Sequence, residues 1–132
     1  MRYVIDTHAL IWFLEGNPRL SSQAATILAD SNSSLVLPAI ALAEAVWIVE
    51  RGKTSIPSAQ ALLNAVNFDP RVTLYPLNQP IIKQTLNLLS IHEMHDRQIV
   101  ATAILLQNQG DTIALLTCDQ NITASSIVST IW

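Results

Sequence analysis

Charge is scarce in this chain. Only 13% of its 132 residues are charged, about half the roughly 25% of an ordinary soluble domain. Seven Lys and Arg stand against ten Asp and Glu, for a formal net charge of −3 and a pI near 5.4. That balance excludes a protein that holds nucleic acid by bulk positive charge. It does not exclude one that cuts nucleic acid at a metal. Cysteine is nearly absent: Cys118 stands alone, which excludes a disulfide framework and suits a reducing cytosol. Long apolar runs are also lacking. The most apolar stretch, 35 to 49, carries Pro38 and Glu44 and falls short of the roughly 18 residues of a membrane span. Arg2 and the apolar residues after it give a faint signal-peptide pattern. Asp6 and Glu15 break it, and no small-residue cleavage site follows. There is no repeat, low-complexity tract or linker. The expectation is a single domain over 1–132, cytoplasmic and without membrane attachment.

What the chain has is apolar content, 50% of its residues. That excludes disorder and is enough for a core without staples. Short β-rich runs alternate with helical stretches. Strands are expected at 3–5, 35–37, 72–75 and 113–118, with an edge strand at 127–131. Helices are expected at 8–15, from Ser21-Ser22 to about 30, at 39–51, from Ser58 onward, from Pro80 to about 90, and from Asp96 to about 109. Gly16-Asn17-Pro18, Gly52 and Gly110 supply the stops. Alternation with almost wholly apolar strands implies an α/β fold of three layers, α/β/α, around a central, mainly parallel sheet. Such sheets carry their sites at the carboxyl ends of the strands.

Four acids sit where that rule points. Asp6 follows the strand Tyr3-Val4-Ile5, and Asp119 follows Ala114-Leu115-Leu116-Thr117-Cys118. Each also reads as a helix cap or turn residue. Asp96 opens a helix, where a carboxylate complements the dipole. Glu44 is the informative one, because its helix, Ala39 to Val49, has hardly a polar face. A buried carboxylate costs several kcal/mol unless paired, protonated or bound to a cation, and buried acids are usually used. If the four converge, each close pair repels by about 4 kcal/mol at 4 Å and an effective dielectric near 20. The cluster must then take up protons or a hard cation. An oxygen-only set suits Mg²⁺ or Mn²⁺ and not Zn²⁺. The reaction class that follows is hydrolysis of a phosphate ester.

With these residues in view, the chain resembles a PIN-domain protein, specifically a VapC-type toxin ribonuclease. The resemblance is carried by Asp6-Thr7-His8-Ala9-Leu10-Ile11-Trp12, by Glu44, by Asp96-Arg97-Gln98-Ile99-Val100-Ala101-Thr102-Ala103, by Thr117-Cys118-Asp119 and by the final Ile131-Trp132. It spans essentially the whole chain in the right order. It implies a parallel sheet flanked by helices and a Mg²⁺- or Mn²⁺-dependent endoribonuclease that hydrolyses RNA phosphodiesters with a metal-activated water. It also implies a homodimer and a cognate antitoxin. Asp6, Glu44, Asp96 and Asp119 match the family's metal-binding acids. Thr117 matches a position whose hydroxyl supports the site, and Thr7 and Arg97 are further supporting positions within the matched motifs. The family often has another Asp three residues before the Asp-Arg pair, where this chain has Glu93. The serines many relatives carry before Glu44 are replaced here by Pro38-Ala39-Ile40-Ala41-Leu42-Ala43.

The remaining candidates read more plainly. His8, His92 and His95 do not space as a zinc site, and one Cys does not complete it. Cys118 reads as a small core residue. Trp12 and Trp47 read as core, with a subunit interface as the second reading. Arg97 reads as a partner for a site carboxylate, an RNA phosphate or a surface acid. Arg51 and Lys53 complement a helix C-terminus or contact a phosphate. Two rival functions stand beside the ribonuclease. One is an inactive PIN-like binding module acting through its dimer or partner surface. The other is a phosphatase or dehalogenase with Asp6 as nucleophile, which position 8 (His8, not Asp) and the sparse lysines disfavour.

Overall fold

The computed structural model describes all 132 residues. Five strands form one sheet: β1 (Arg2–Ile5), β2 (Ser34–Pro38), β3 (Val72–Tyr75), β4 (Ile113–Leu116) and β5 (Thr130–Ile131). Their order is β3-β2-β1-β4-β5, and every pairing is parallel. The sheet is flanked by α1 (Thr7–Glu15), α2 (Ser22–Ala29), α3 (Ala39–Glu50), α4 (Ala59–Phe68), α5 (Gln79–Thr85), α6 (Met94–Asn108) and the short α7 (Gln120–Thr123).

The apolar runs explain which strands are central. All four residues of β4 are buried, as are Leu35 to Pro38 of β2 and Val4 and Ile5 of β1. A strand buried at consecutive residues must be covered on both faces. The exposed residues of β3 and the two-residue β5 mark them as edges. The chain runs outward from β1 to β2 and β3, then returns to pair β4 with the other side of β1. The direction of winding therefore reverses between β1 and β4. In open parallel sheets the crevice at such a reversal, beyond the carboxyl ends of the strands, is where ligands bind.

Several boundaries differ from the sequence expectation. β4 stops at Leu116, so Cys118 lies beyond the strand and is exposed, not core. α6 begins at Met94, before Asp96, because the Glu93 side chain caps it by accepting from Asp96 N at 2.8 Å. α5 ends at Thr85 and not near 90. Beyond it Leu86, Asn87 and Leu88 donate to carbonyls three residues back, a tightening that ends α-helical geometry. α7 had no apolar period to announce it, being four residues long. The edge strand shrinks to Thr130–Ile131. α1 ends as expected at Gly16, whose φ of 64° suits a residue without Cβ.

Candidate active site

Asp6 and Asp119 line a recess at the ends of β1 and β4, with Asp96 and Glu44 in electrostatic reach of Asp6. Asp6 is the cap of α1 directly after β1 and is only 7% exposed. Its Oδ1 accepts from Thr7 N at 2.7 Å, and its Oδ2 accepts from the Thr117 hydroxyl at 2.5 Å. Thr117, just past β4, also accepts from Asp119 N at 3.1 Å. One buried hydroxyl thus ties the ends of two neighbouring strands to one carboxylate. Asp119 caps α7, accepting from Asn121 N at 2.8 Å. The cap readings of Asp6 and Asp119 are therefore right, and both residues still face the other acids.

Thr7 does the equivalent for α3. Its hydroxyl donates to Glu44 Oε1 at 2.9 Å, joining the start of α1 to the middle of α3. Glu44 Oε2 lies 3.6 Å from His95 Nδ1, and the same nitrogen lies 2.8 Å from Glu93 Oε1. With its other oxygen capping α6, Glu93 is committed on both sides to shaping the start of that helix. Asp96, in the first turn of α6, is 9% exposed. Among its influences are four acids and burial, but no hydrogen bond.

The charges register this crowding. Burial raises the Asp6 carboxyl above its ordinary range, and nearby Asp119 adds to this, against the lowering bonds from Thr117 and Thr7. Burial also raises Glu44, with Glu93 and Asp6 contributing. Asp96 is pushed up to about 7, first by burial, then by Asp119, Glu93, Asp6 and Glu44. Glu93 is held low: burial opposes its charge, but the N–H groups of Asp96 and His95 and the His95 side chain outweigh it. Asp96 therefore senses acids from three other elements, Asp119, Asp6 and Glu44. As the side chains stand, no three donors are gathered closely enough to clasp an ion. The donor set itself fits a hard divalent cation. It is oxygen-only, Asp96 has no competing protein donor, and the carboxylate oxygens of Asp6 each retain lone-pair capacity beyond their single bond.

Other residues fall differently from the sequence reading. Arg97 meets no acid: its guanidinium donates to the carbonyls of Ile91 and Leu89, clamping the loop before α6. Trp47 is exposed and not core, with Arg51 lying over its ring at 4.5 Å. Trp12 is half-buried, edge-on to Trp132 at 5.7 Å between centroids. Local desolvation and the Asp6 charge raise the Cys118 thiol, which keeps it from acting as a thiolate nucleophile. The sequence does not distinguish His95 from His8 and His92 by residue type. Its only sequence signal is its place between Glu93 and Asp96.

A family model described as "PIN domain" matches residues 3–125. The chain belongs to the PIN-domain family. Solved structures agree on the fold. This PIN domain superposes on VapBC2 from Rickettsia felis, a complex bound to a promoter DNA fragment, with a TM-score of 0.70 and 17% identity over 99% of this chain and 98% of the other. A toxin–antitoxin complex from Klebsiella pneumoniae gives 0.69 and 20% over 98% and 96%. VapC20 of Mycobacterium tuberculosis, described as a sarcin-ricin loop cleaving toxin, gives 0.69 and 14% over 96% of each chain. Comparison with curated protein sequences gives no match.

The Thr117 bridge carries a prediction. Thr117→Val is expected to lower stability by about 1–3 kcal/mol, because a buried carboxylate oxygen and the Asp119 N–H both lose their partner. Thr117→Ser keeps the hydroxyl and is expected to stay within about 1 kcal/mol. Urea unfolding of the three proteins checks this. Equal loss in both variants would show that the methyl group matters and the hydroxyl does not.

Proposed function

We propose that this PIN domain is a Mg²⁺- or Mn²⁺-dependent endoribonuclease and the toxin of a toxin–antitoxin pair. The observation that carries the reading is the gathering of Asp6, Glu44, Asp96 and Asp119 from four elements near the winding reversal of the sheet, with the Asp96 carboxyl raised to about 7 and accepting no hydrogen bond. Such an acid is poised to exchange a proton for a cation. The likeness to toxin–antitoxin complexes supports an antitoxin partner, and the likeness to a loop-cleaving toxin supports RNA as substrate. No helix is long and apolar enough to cross a membrane.

When bound, a divalent ion would polarise a phosphodiester oxygen and acidify a water beside it. The chain supplies the rest. Asp6 and Asp96 are the most buried donors and would hold the cation with least competition from solvent, with Glu44 and Asp119 completing the set. Thr117 and Thr7 hold Asp6 and Glu44 at one fixed orientation each. Glu93 and His95 hold the α3 and α6 walls together. Incubating purified protein with single-stranded RNA and Mn²⁺, with an EDTA control, tests the reading. Cleavage only with metal is expected; identical RNA in both tubes contradicts it.

We also propose a homodimer. The support is a set of exposed apolar side chains before, on and after α5: Leu74, Leu77, Ile82, Leu86 and Leu89, the last two 70% and 67% exposed. Large exposed apolar side chains at this density, with Ile82 and Leu86 lining one recess, support an interaction surface. Sedimentation velocity is expected to give a dimer for the wild type and a monomer for the double variant Leu86→Glu, Leu89→Glu. A monomeric wild type contradicts the assignment.

A further inference from the structure

The acidic site repels the polyanion it is proposed to cut, so the approach to it needs positive charge. The fate of the seven Lys and Arg residues shows where that charge is. Arg2 is paired with Asp111 at 3.0 Å, and Arg71 with Asp69 at 2.8 Å. Arg97 is spent on backbone carbonyls. Of the four left, Lys83 lies on α5. The other three, Arg19, Arg51 and Lys53, line one groove of about 660 Å³ between α1 and α3. The single acid in its lining, Glu15, is already engaged by Asn17 and Ser55.

Two tryptophans connect this groove to the site. Trp12 lines both the groove and the recess beside Asp6 and Asp119. Trp47 lines both the groove and the recess beside Glu44 and His95. Each is accompanied by an arginine, Arg19 at 5.9 Å from the Trp12 ring and Arg51 at 4.5 Å from the Trp47 ring. Trp47 is 59% exposed, which core packing does not explain. Aromatic faces beside cations are what single-stranded nucleic acid binds, with bases stacked and phosphates neutralised.

We infer that the groove between α1 and α3 is the track by which single-stranded RNA enters the carboxylate site, with Trp47 as a base-stacking platform and Arg51, Lys53 and Arg19 as phosphate contacts. The inference rests on the ribonuclease reading for its direction but not for its test. An acidic peptide would also satisfy the cations; RNA is favoured because both tryptophans lead the groove to the carboxylates.

The test is fluorescence anisotropy of a labelled twelve-nucleotide oligouridylate with the full chain in EDTA at low salt, where cleavage cannot occur. The double variant Arg51→Gln, Lys53→Gln is expected to flatten the log–log salt slope by about 1.4, since single strands release about 0.7 ions per neutralised phosphate. Trp47→Ala is expected to weaken binding about tenfold with the slope unchanged, the effect of losing one stacked base. Lys83→Gln is expected to change neither. Wild-type protein that does not bind in EDTA, or groove variants that bind like wild type, would overturn the inference. So would an Asp- and Glu-rich peptide that the groove binds more tightly than the oligonucleotide. Binding without any Mn²⁺-dependent cleavage would instead refute the ribonuclease reading and leave the groove standing.

Discussion

Asp6→Asn is expected to lower metal-dependent RNA cleavage by about 10²–10³-fold, on the scale seen when a principal electrostatic group is removed from a reaction centre, while the fold survives. The survival follows from the bonds. Asn keeps an oxygen to accept from Thr7 N. The Thr117 hydroxyl can reverse to accept from the new amide N–H, since a hydroxyl serves as donor or acceptor. The buried Thr117 hydroxyl proton loses its carboxylate acceptor, at a cost of about 1–3 kcal/mol. The charge is lost as well, and charge is what binds a divalent cation. Removing it also removes the cost of burying that charge, which offsets the lost bond, so the variant is expected to stay folded. Rates on end-labelled RNA, read beside circular dichroism, check both halves. Full activity in a folded variant would show that Asp6 is only the cap of α1.

The second large effect is on stability. Asp96 moves from an ordinary value of 3.8 to about 7 in the fold. A carboxyl with a raised folded pKa binds its proton more tightly in the native state than in the unfolded chain. Its contribution is complete below about 3.8 and is lost as pH rises to about 7. Metal-free protein is therefore expected to melt lower at pH 8 than at pH 5. Asp96→Asn removes the buried charge and costs no hydrogen bond, because the carboxylate accepts none. It is expected to raise the pH 8 melting temperature by about 5 °C and to shrink the difference between the two pH values. Mn²⁺ at about 100 times its Kd should stabilise wild type by about 2.7 kcal/mol, and the variant by much less. Thermal melts at both pH values, with and without Mn²⁺, read this directly. A variant less stable than wild type at pH 8 without metal would show that the Asp96 charge is compensated.

The parallel sheet and the four acids were legible in the sequence for a physical reason. A strand buried on both faces must be continuously apolar, so a carboxylate at its end stands out, and Glu44 stands out in an apolar helix likewise. The winding reversal between β1 and β4 that brings them together is a property of topology, which strand composition does not encode. Residues whose chemistry has several outlets were harder. Arg97 found two backbone carbonyls, partners that leave no trace in sequence. Trp47 shares its helix with apolar neighbours all round, so periodicity could not tell its exposed face from the buried face of Ala41, Ala45 and Val49. Glu93 differs from the family's Asp by one methylene. The structure gives that length a use, since one oxygen reaches Asp96 N and the other His95.

The central claim is that the acids of this crevice together bind a divalent cation. It is tested most directly by titrating Mn²⁺ into metal-free protein in a calorimeter, with the Asp6→Asn, Asp96→Asn double variant alongside. The account predicts saturable binding by wild type, with protons released because Asp96 must give up its own near neutrality. In the folded double variant that binding is lost. Wild-type protein that binds no Mn²⁺ saturably, or a double variant that binds it equally well, would contradict the account and leave an inactive PIN-type binding module as the better description.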